Sequence, residues 1–435
     1  MVEFVHDTLA CGIEYGVVPL PQRHVVAFQI RILAGTASEP ADKLGLARVL
    51  EETLDKGTER RSGRELSDAF DAIGAAANSG TGRETTTFTC TVLPEHFEQA
   101  VALHAEMLRT PTLREDACGV NIELAKQELD ALQDDPQALA DKYISLQAYG
   151  STLGHHSLGE RQTLDTIVRA DIEAHWRSCF HGGRMLLSVA GPVEGAQVAD
   201  VFSKHFDGFG SAARAGRDHV ECEFTPGSSH HAKDTEQQQI GICWPGVDAT
   251  HDDFPIQQVM LGVLSGGMGA RLFTEVREKL GLAYWVSAWH ETPRGLGMLF
   301  LGASTTPQRC DQTYATLLHE VDRLREDLQP EEVERAITGI VAQRETRGET
   351  TRARCSELIN DLFFFGRPVP AEEKLAKVRA VTVDEIKRYL VAYPHDSRCV
   401  VTLGPTPLRI QEPLAHQPAC GDAQATPMSQ SGKRV

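Results

Sequence analysis

Apolar residues recur along this chain in two periods, one helical and one alternating. In "GLARVLEETLDKGT" (45–58), Leu46, Leu50 and Leu54 fall on one stripe, as in a helix lying on a core. The same period runs through "EHFEQAVALHAEMLRT" (95–110) and "NIELAKQELDALQDDP" (121–136). It returns in "QTYATLLHEVDRLRED" (312–327) and "EEVERAITGIVAQRET" (331–346). By contrast "ETTTFTCTVL" (84–93) and "AYWVSAWHET" (283–292) alternate and are rich in β-branched or aromatic residues, which predicts strands.

The elements repeat. "MLLSVAGP" (185–192) and "RCVVTLGP" (398–405) are both apolar strands ending in Gly-Pro, with Gly191 and Gly404 set 213 residues apart. Before each strand comes a short helix with an acidic start, "TIVRADIEAHWRSCF" (166–180) and "RAVTVDEIKRYLVAY" (379–393). Near the opening of each half, "VVAFQIRILAG" (25–35) echoes "QQQIGICWPG" (237–246). The expected fold class is α+β: two homologous domains, each a mainly antiparallel sheet covered by helices on one face. The expected boundaries are a first domain at 1–212, a polar, aperiodic linker at 213–236, a second domain at 237–410 and a disordered tail at 411–435.

Composition narrows the function. The chain is 41% hydrophobic and 24% charged, ordinary for a globular protein, and its 435 residues exceed one core. A formal charge of −18 without a basic patch argues against nucleic acid as a partner. No run reaches the roughly 18 to 20 apolar residues of a membrane span. "MVEFVHDTLACGIEYG" does not read as a signal peptide, so the expected location is cytoplasmic. Ten scattered cysteines without a C-x-x-C pair read as reduced, packed thiols. The adjacent pairs His155/His156 and His230/His231 are expected in loops, solvated rather than ligating.

Arg48, Glu51 and Glu52 sit at i, i+3 and i+4, so a helix projects all three from one face. The residues alone leave open whether this is an ordinary ion pair or a derelict metal site. From about residue 4 to about 410 the chain resembles the pitrilysin/insulinase metallopeptidase family, in its short two-domain branch with the mitochondrial processing peptidases. The resemblance rests on "GLARVLEETLDKGT", "IGAAANSGTGRETTTF", "AKQELDALQDDP", "GGMGARLFTEVREKLGLAYWV" and both Gly-Pro strand ends.

That family uses an inverted H-x-x-E-H zinc motif with a distal Glu as third ligand. Carried over residue by residue, Arg48 and Glu52 stand at the two His positions and Glu51 at the catalytic Glu. The distal ligand matches Glu128, 76 residues beyond Glu52. An Arg charge ~4 Å from Zn²⁺ repels it by roughly 8 kcal/mol at an effective dielectric near 20. Arg has no lone pair to offer, so the guanidinium is expected to replace the metal's charge and this chain to bind no cofactor. The resemblance further implies that Arg277 and Tyr284 in "REKLGLAY" bind the substrate backbone and stabilise an oxyanion. Gly281 between them is expected as a helix C-cap. "AAANSGTGRE" (75–84) would pair with substrate as an edge strand, with Asn78 and Thr81 at polar positions. "SGGMG" lacks the Lys-Ser/Thr of a phosphate loop.

Three readings follow. In the first, the chain is the non-zinc subunit of a heterodimeric peptidase. It binds peptide and lends Arg277 and Tyr284 to a homologous zinc-bearing partner, with a homodimer also open. The second is a non-proteolytic scaffold. The third is a hydrolase holding Mg²⁺ or Mn²⁺ on Glu51, Glu52 and Glu128.

Overall fold

The computed structural model describes residues 4–210, 222 and 224–409. Among them the first half builds a six-stranded sheet from β1 (Val5–Thr8), β2 (Glu14–Pro19), β3 (Val26–Ile32), β4 (Ala76–Thr81), β5 (Thr86–Val92) and β6 (Met185–Gly191). The second half builds a five-stranded sheet from β7 (Gly227–Ala232), β8 (Gln238–Pro245), β9 (Ala283–Glu291), β10 (Met298–Thr305) and β11 (Cys399–Gly404). The strand orders are β1-β2-β6-β3-β5-β4 and β7-β11-β8-β10-β9. Beyond β1 they correspond strand for strand. Each sheet has one parallel pair, β2 with β6 and β7 with β11, and is otherwise antiparallel.

The α+β class with two helix-covered sheets holds. In the first half, Phe28, Ile30, Phe88 and Val189 meet Leu50, Val101, Leu108, Ile172 and Phe202 from its helices. In the second, Ile242, Leu299 and Leu301 meet Val259, Leu264, Leu317 and Ile386. Packing goes further than the expected single face. Helix 351–365, from the second half, lays Leu358 and Leu362 on Val18, Ala27 and Ala190 of the first sheet. Helix 136–153, from the first half, lays Ile144, Ala148, Tyr149 and Leu153 on Cys243, Phe300 and Val401 of the second. Each half therefore lends one helix to the other's sheet. At roughly 1.5 to 3 kcal/mol per fully buried large apolar side chain, this exchange ties the halves together. It also explains why β6, β10 and β11 are buried on both faces.

The repeated Gly-Pro has a local cause. Gly191 and Gly404 hold φ of 143° and 153°, which side chains rarely adopt. A Cβ on Gly404 would lie 2.3 Å from Gln238 Oε1. The stretch expected as a linker, 213–236, is not featureless, because Gly227–Ala232 is β7, paired in parallel with β11. It reads as polar because it is an edge strand. His230 and His231 accordingly lie on a strand rather than in a loop. His230 Nδ1 is 3.0 Å from Thr402 Oγ1, and His231 stacks on Tyr143 at 3.6 Å. Residues 211 and 212 of the expected first domain, residues 213–221 and 223 of that linker and the tail expected at 411–435 lie outside the described residues.

Candidate functional site

Helix Leu46–Thr53 begins at Gly45, whose φ of 97° turns the chain into it. The Glu39 carboxylate accepts from Gly45 N at 3.1 Å and from Ala47 N at 2.7 Å, capping the first turn. Leu46, Val49, Leu50 and Leu54 are buried beneath it, which leaves Arg48, Glu51 and Glu52 on the far stripe. Helix Glu115–Leu132 is fastened alongside by Asn121, whose Nδ2 donates to Glu52 O and Thr53 Oγ1, each at 2.9 Å.

The structure gathers Arg48, Glu51, Glu52 and Glu128. Arg48 Nη2 lies 2.5 Å from Glu52 Oε1 and 3.7 Å from Glu128 Oε2, and Nη1 lies 3.8 Å from Glu51 Oε2. Glu51 is only 4% exposed. It accepts from Ser79 Oγ, and from Thr81 Oγ1 at 3.2 Å. Burial raises its pKa above the usual carboxylate range. The Ser79 hydrogen bond, the Arg48 charge and Thr81 pull it back, and Glu52 opposes them.

β4 forms the free edge of the first sheet and carries Thr81 to this cluster. Asn78 is not brought there. Its exposed position points off the other side of β4, where its carbonyl accepts from Thr89 Oγ1 at 3.4 Å. Ser79, not singled out from the sequence, bonds Glu51 beside Thr81, and the two-residue period linking 79 to 81 was the available signal.

Zinc, which the resemblance implies at this position, does not fit these residues. The cluster offers no imidazole or thiolate, and one guanidinium contacts all three carboxylates. Among the described residues, no group of three or more His, Cys, Asp or Glu is arranged to hold a metal ion, which also leaves the hard-cation reading without a cage.

Arg277 and Tyr284 flank a second feature. Helix Leu272–Lys279 is wound as a π-helix, with Leu280 N donating to Glu275 O at 3.2 Å. Its start is pinned by buried Arg271, held by Glu332 at 2.6 Å and Asp327 at 2.8 Å. Its end turns at Gly281, φ 58°, so that Leu282 N reaches back to Val276 O at 2.8 Å. Arg309 donates to Gly281 O, and Thr305 Oγ1 to Leu282 O at 2.5 Å.

The register then slips: Ala283 faces Thr305 and Trp285 faces Ser304, so Tyr284 is the extra residue of a β-bulge. Tyr284 is 69% exposed, and Arg277 lies over Phe273 at 5.0 Å. Both line an open pocket of about 260 Å³ together with Glu278, Thr306 and Arg309. Neither the π-turn nor the bulge has a sequence pattern that announces it.

Residues 18–161 match the family model "Insulinase (Peptidase family M16)", and residues 166–340 match "Peptidase M16 inactive domain". A protein of Rickettsia felis named an uncharacterized zinc protease is 26% identical over 369 residues, covering 84% of this chain and 89% of that one. A Bacillus subtilis zinc protease is 26% identical over 368 residues, 84% and 90% of the two chains. The probable mitochondrial-processing peptidase subunit beta of Arabidopsis thaliana is 23% identical over 386 residues, 86% and 73%.

Among solved structures, a peptidase M16 inactive domain from Pseudomonas fluorescens superposes with a TM-score of 0.87 at 18% identity. That match covers 94% of this chain and 100% of the other. A protease from Helicobacter pylori gives 0.85 at 16% identity, covering 93% and 100%. Sequence models of both halves and the shared two-sheet architecture thus make this chain a member of the insulinase, or M16, peptidase family.

Proposed function

We propose that this chain is the non-zinc subunit of a two-chain M16 peptidase, binding peptide and lending Arg277 and Tyr284 to the active site of a homologous zinc-bearing partner. The observation that carries this reading is the contrast between the two half-sites. Arg48 is spent on three carboxylates, so the first is closed to a metal. Tyr284 stands largely in solvent and the Arg277 side chain is 48% exposed, both beside a pocket, with Arg277 held, among the described residues, only by the Phe273 ring and a 4.0 Å contact with Glu278.

The chemistry asked of them is modest. When water adds to a peptide carbonyl held at the partner's site, the oxygen gains charge. A phenol and a guanidinium aimed at it are then worth more than in the ground state. Extended peptide would add to the free edge of β4 through backbone hydrogen bonds, which are insensitive to side-chain identity.

The test is reconstitution with a homologue carrying an intact H-x-x-E-H motif. Peptide cleavage is expected from the pair and not from this chain alone. Tyr284→Phe removes one donor and should lower kcat by on the order of 10² to 10³ with little change in KM. Arg277→Lys loses the planar fork and should also be impaired. Full activity of assembled pairs carrying either variant would reject the catalytic role and leave the scaffold reading.

A further inference from the structure

Three thiols, Cys222, Cys243 and Cys399, gather in the layer between the second sheet and helix 136–153. Two of them are matched in register. β8 and β11 run antiparallel with Cys243 directly opposite Cys399, and both are free and fully buried. Directly opposed residues of an antiparallel pair hold their Cβ atoms about 4.5 to 5.5 Å apart, close to the roughly 3.5 to 4.5 Å of a disulfide.

Their surroundings treat the two sulfurs differently. Interaction with Cys243 and then with the Gly227 backbone lowers the pKa of Cys399 against the effect of burial. The same interaction between the two sulfurs, with burial, raises that of Cys243. Cys399 points its thiol proton at Thr225 O, 3.1 Å away, and is the more readily deprotonated of the two.

What protects the pair is the other half of the molecule. Helix 136–153 lies over it, with Gln147 O 3.8 Å from Cys399 Sγ. The halves are clasped by Glu84 and Arg294 at 3.1 Å, both 11% exposed, by Arg83 and Glu291 at 2.8 Å, and by Tyr149 OH donating to Glu291 at 3.1 Å.

We infer that Cys243 and Cys399 are a cross-strand oxidation site, converted to a disulfide by a small-molecule disulfide oxidant only when the two halves part. The Cys399 thiolate attacks one sulfur of the oxidant, forming a mixed disulfide and expelling one thiolate. Cys243 then gives up its proton and attacks Cys399 Sγ, expelling the second. Two protein thiols are oxidised, one small disulfide is reduced to two thiols, and the protons end on the leaving groups. The new bond removes the thiol donor that Cys399 offers to Thr225 O at 3.1 Å and to Gln147 O. Oxidation therefore loosens a contact between the halves and marks molecules that have opened.

The full chain is incubated with oxidised glutathione, trapped by alkylation and mapped by mass spectrometry without reduction. The expected product is a Cys243–Cys399 linked peptide pair, 2 Da lighter than the two thiol peptides together and reversed by dithiothreitol. Arg294→Ala, which cuts one clasp without touching the thiols, should speed its formation by about ten-fold. Glu84→Gln cuts the same clasp and serves if the first variant does not fold. Thiols that stay free, glutathione adducts without linkage, or linkage to Cys222 would each overturn the assignment. An unchanged rate in a folded clasp variant would overturn the gating.

Discussion

Replacing Arg48 by Met keeps an unbranched apolar stem and deletes the charge that three carboxylates share. Glu51 decides the outcome, because its side chain is 3% exposed whereas those of Glu52 and Glu128 are 40% and 53% exposed. At 3.8 Å and an effective dielectric near 20, the Arg48–Glu51 attraction is about 4 kcal/mol. The Met variant escapes the cost of burying a guanidinium, and Ser79 and Thr81 still bond Glu51, so about 2 kcal/mol should be lost at pH 7.5.

The loss depends on pH. The folded pKa of Glu51 is already raised, and losing Arg48 raises it further, so the folded variant binds the proton more tightly than the unfolded chain does. Stability then falls as pH rises, from the unfolded value of about 4.3 up through the folded pKa, and levels off above it. The penalty should be larger at pH 7.5 and shrink to a few tenths of a kcal/mol near pH 4.5, where mainly exposed ion pairs remain to be lost. Urea unfolding at both pH values, with the m-value held as a check, reads this directly. An equal penalty at both pH values, or none at pH 7.5, would refute the claim that Arg48 is there to neutralise a buried carboxylate.

The remaining predictions concern the same helix and its neighbours. Arg48→His with Glu52→His should bind about one Zn²⁺ per chain, since Glu128 already lies beside the site; a folded double variant that takes up none in equilibrium dialysis would show that the two helices do not bring Glu128 to the metal. Glu39 has its pKa pushed up to about 8 by burial despite the Gly45 and Ala47 hydrogen bonds. It should therefore cost stability progressively as pH rises from about 4.3 through 8, and Glu39→Gln should flatten the melting temperature across that window.

The charged triplet and its helix were legible because one local period fixes them, and Glu128, 76 residues beyond Glu52, could be matched to the distal-ligand position by resemblance. The repeated Gly-Pro strands were legible because a positive φ demands glycine twice. The exchanged helices were not. Helix 136–153 has the pattern of any amphipathic helix, and which sheet its Ile144 and Tyr149 cover depends on contacts with residues beyond 240. β7 was missed because an edge strand is polar enough to pass for a linker. Tyr284 was picked out by resemblance, but its display on a bulge depends on pairing with Ser304 and Thr305, which no local pattern encodes.

The most direct test of the account is the zinc content of the purified full chain after equilibrium dialysis against micromolar zinc, measured beside its Glu128→Gln variant. The account predicts no stoichiometric zinc in either, because Arg48 holds the carboxylates that a metal would need. One tightly held zinc per chain, lost in the Glu128→Gln variant, would contradict it.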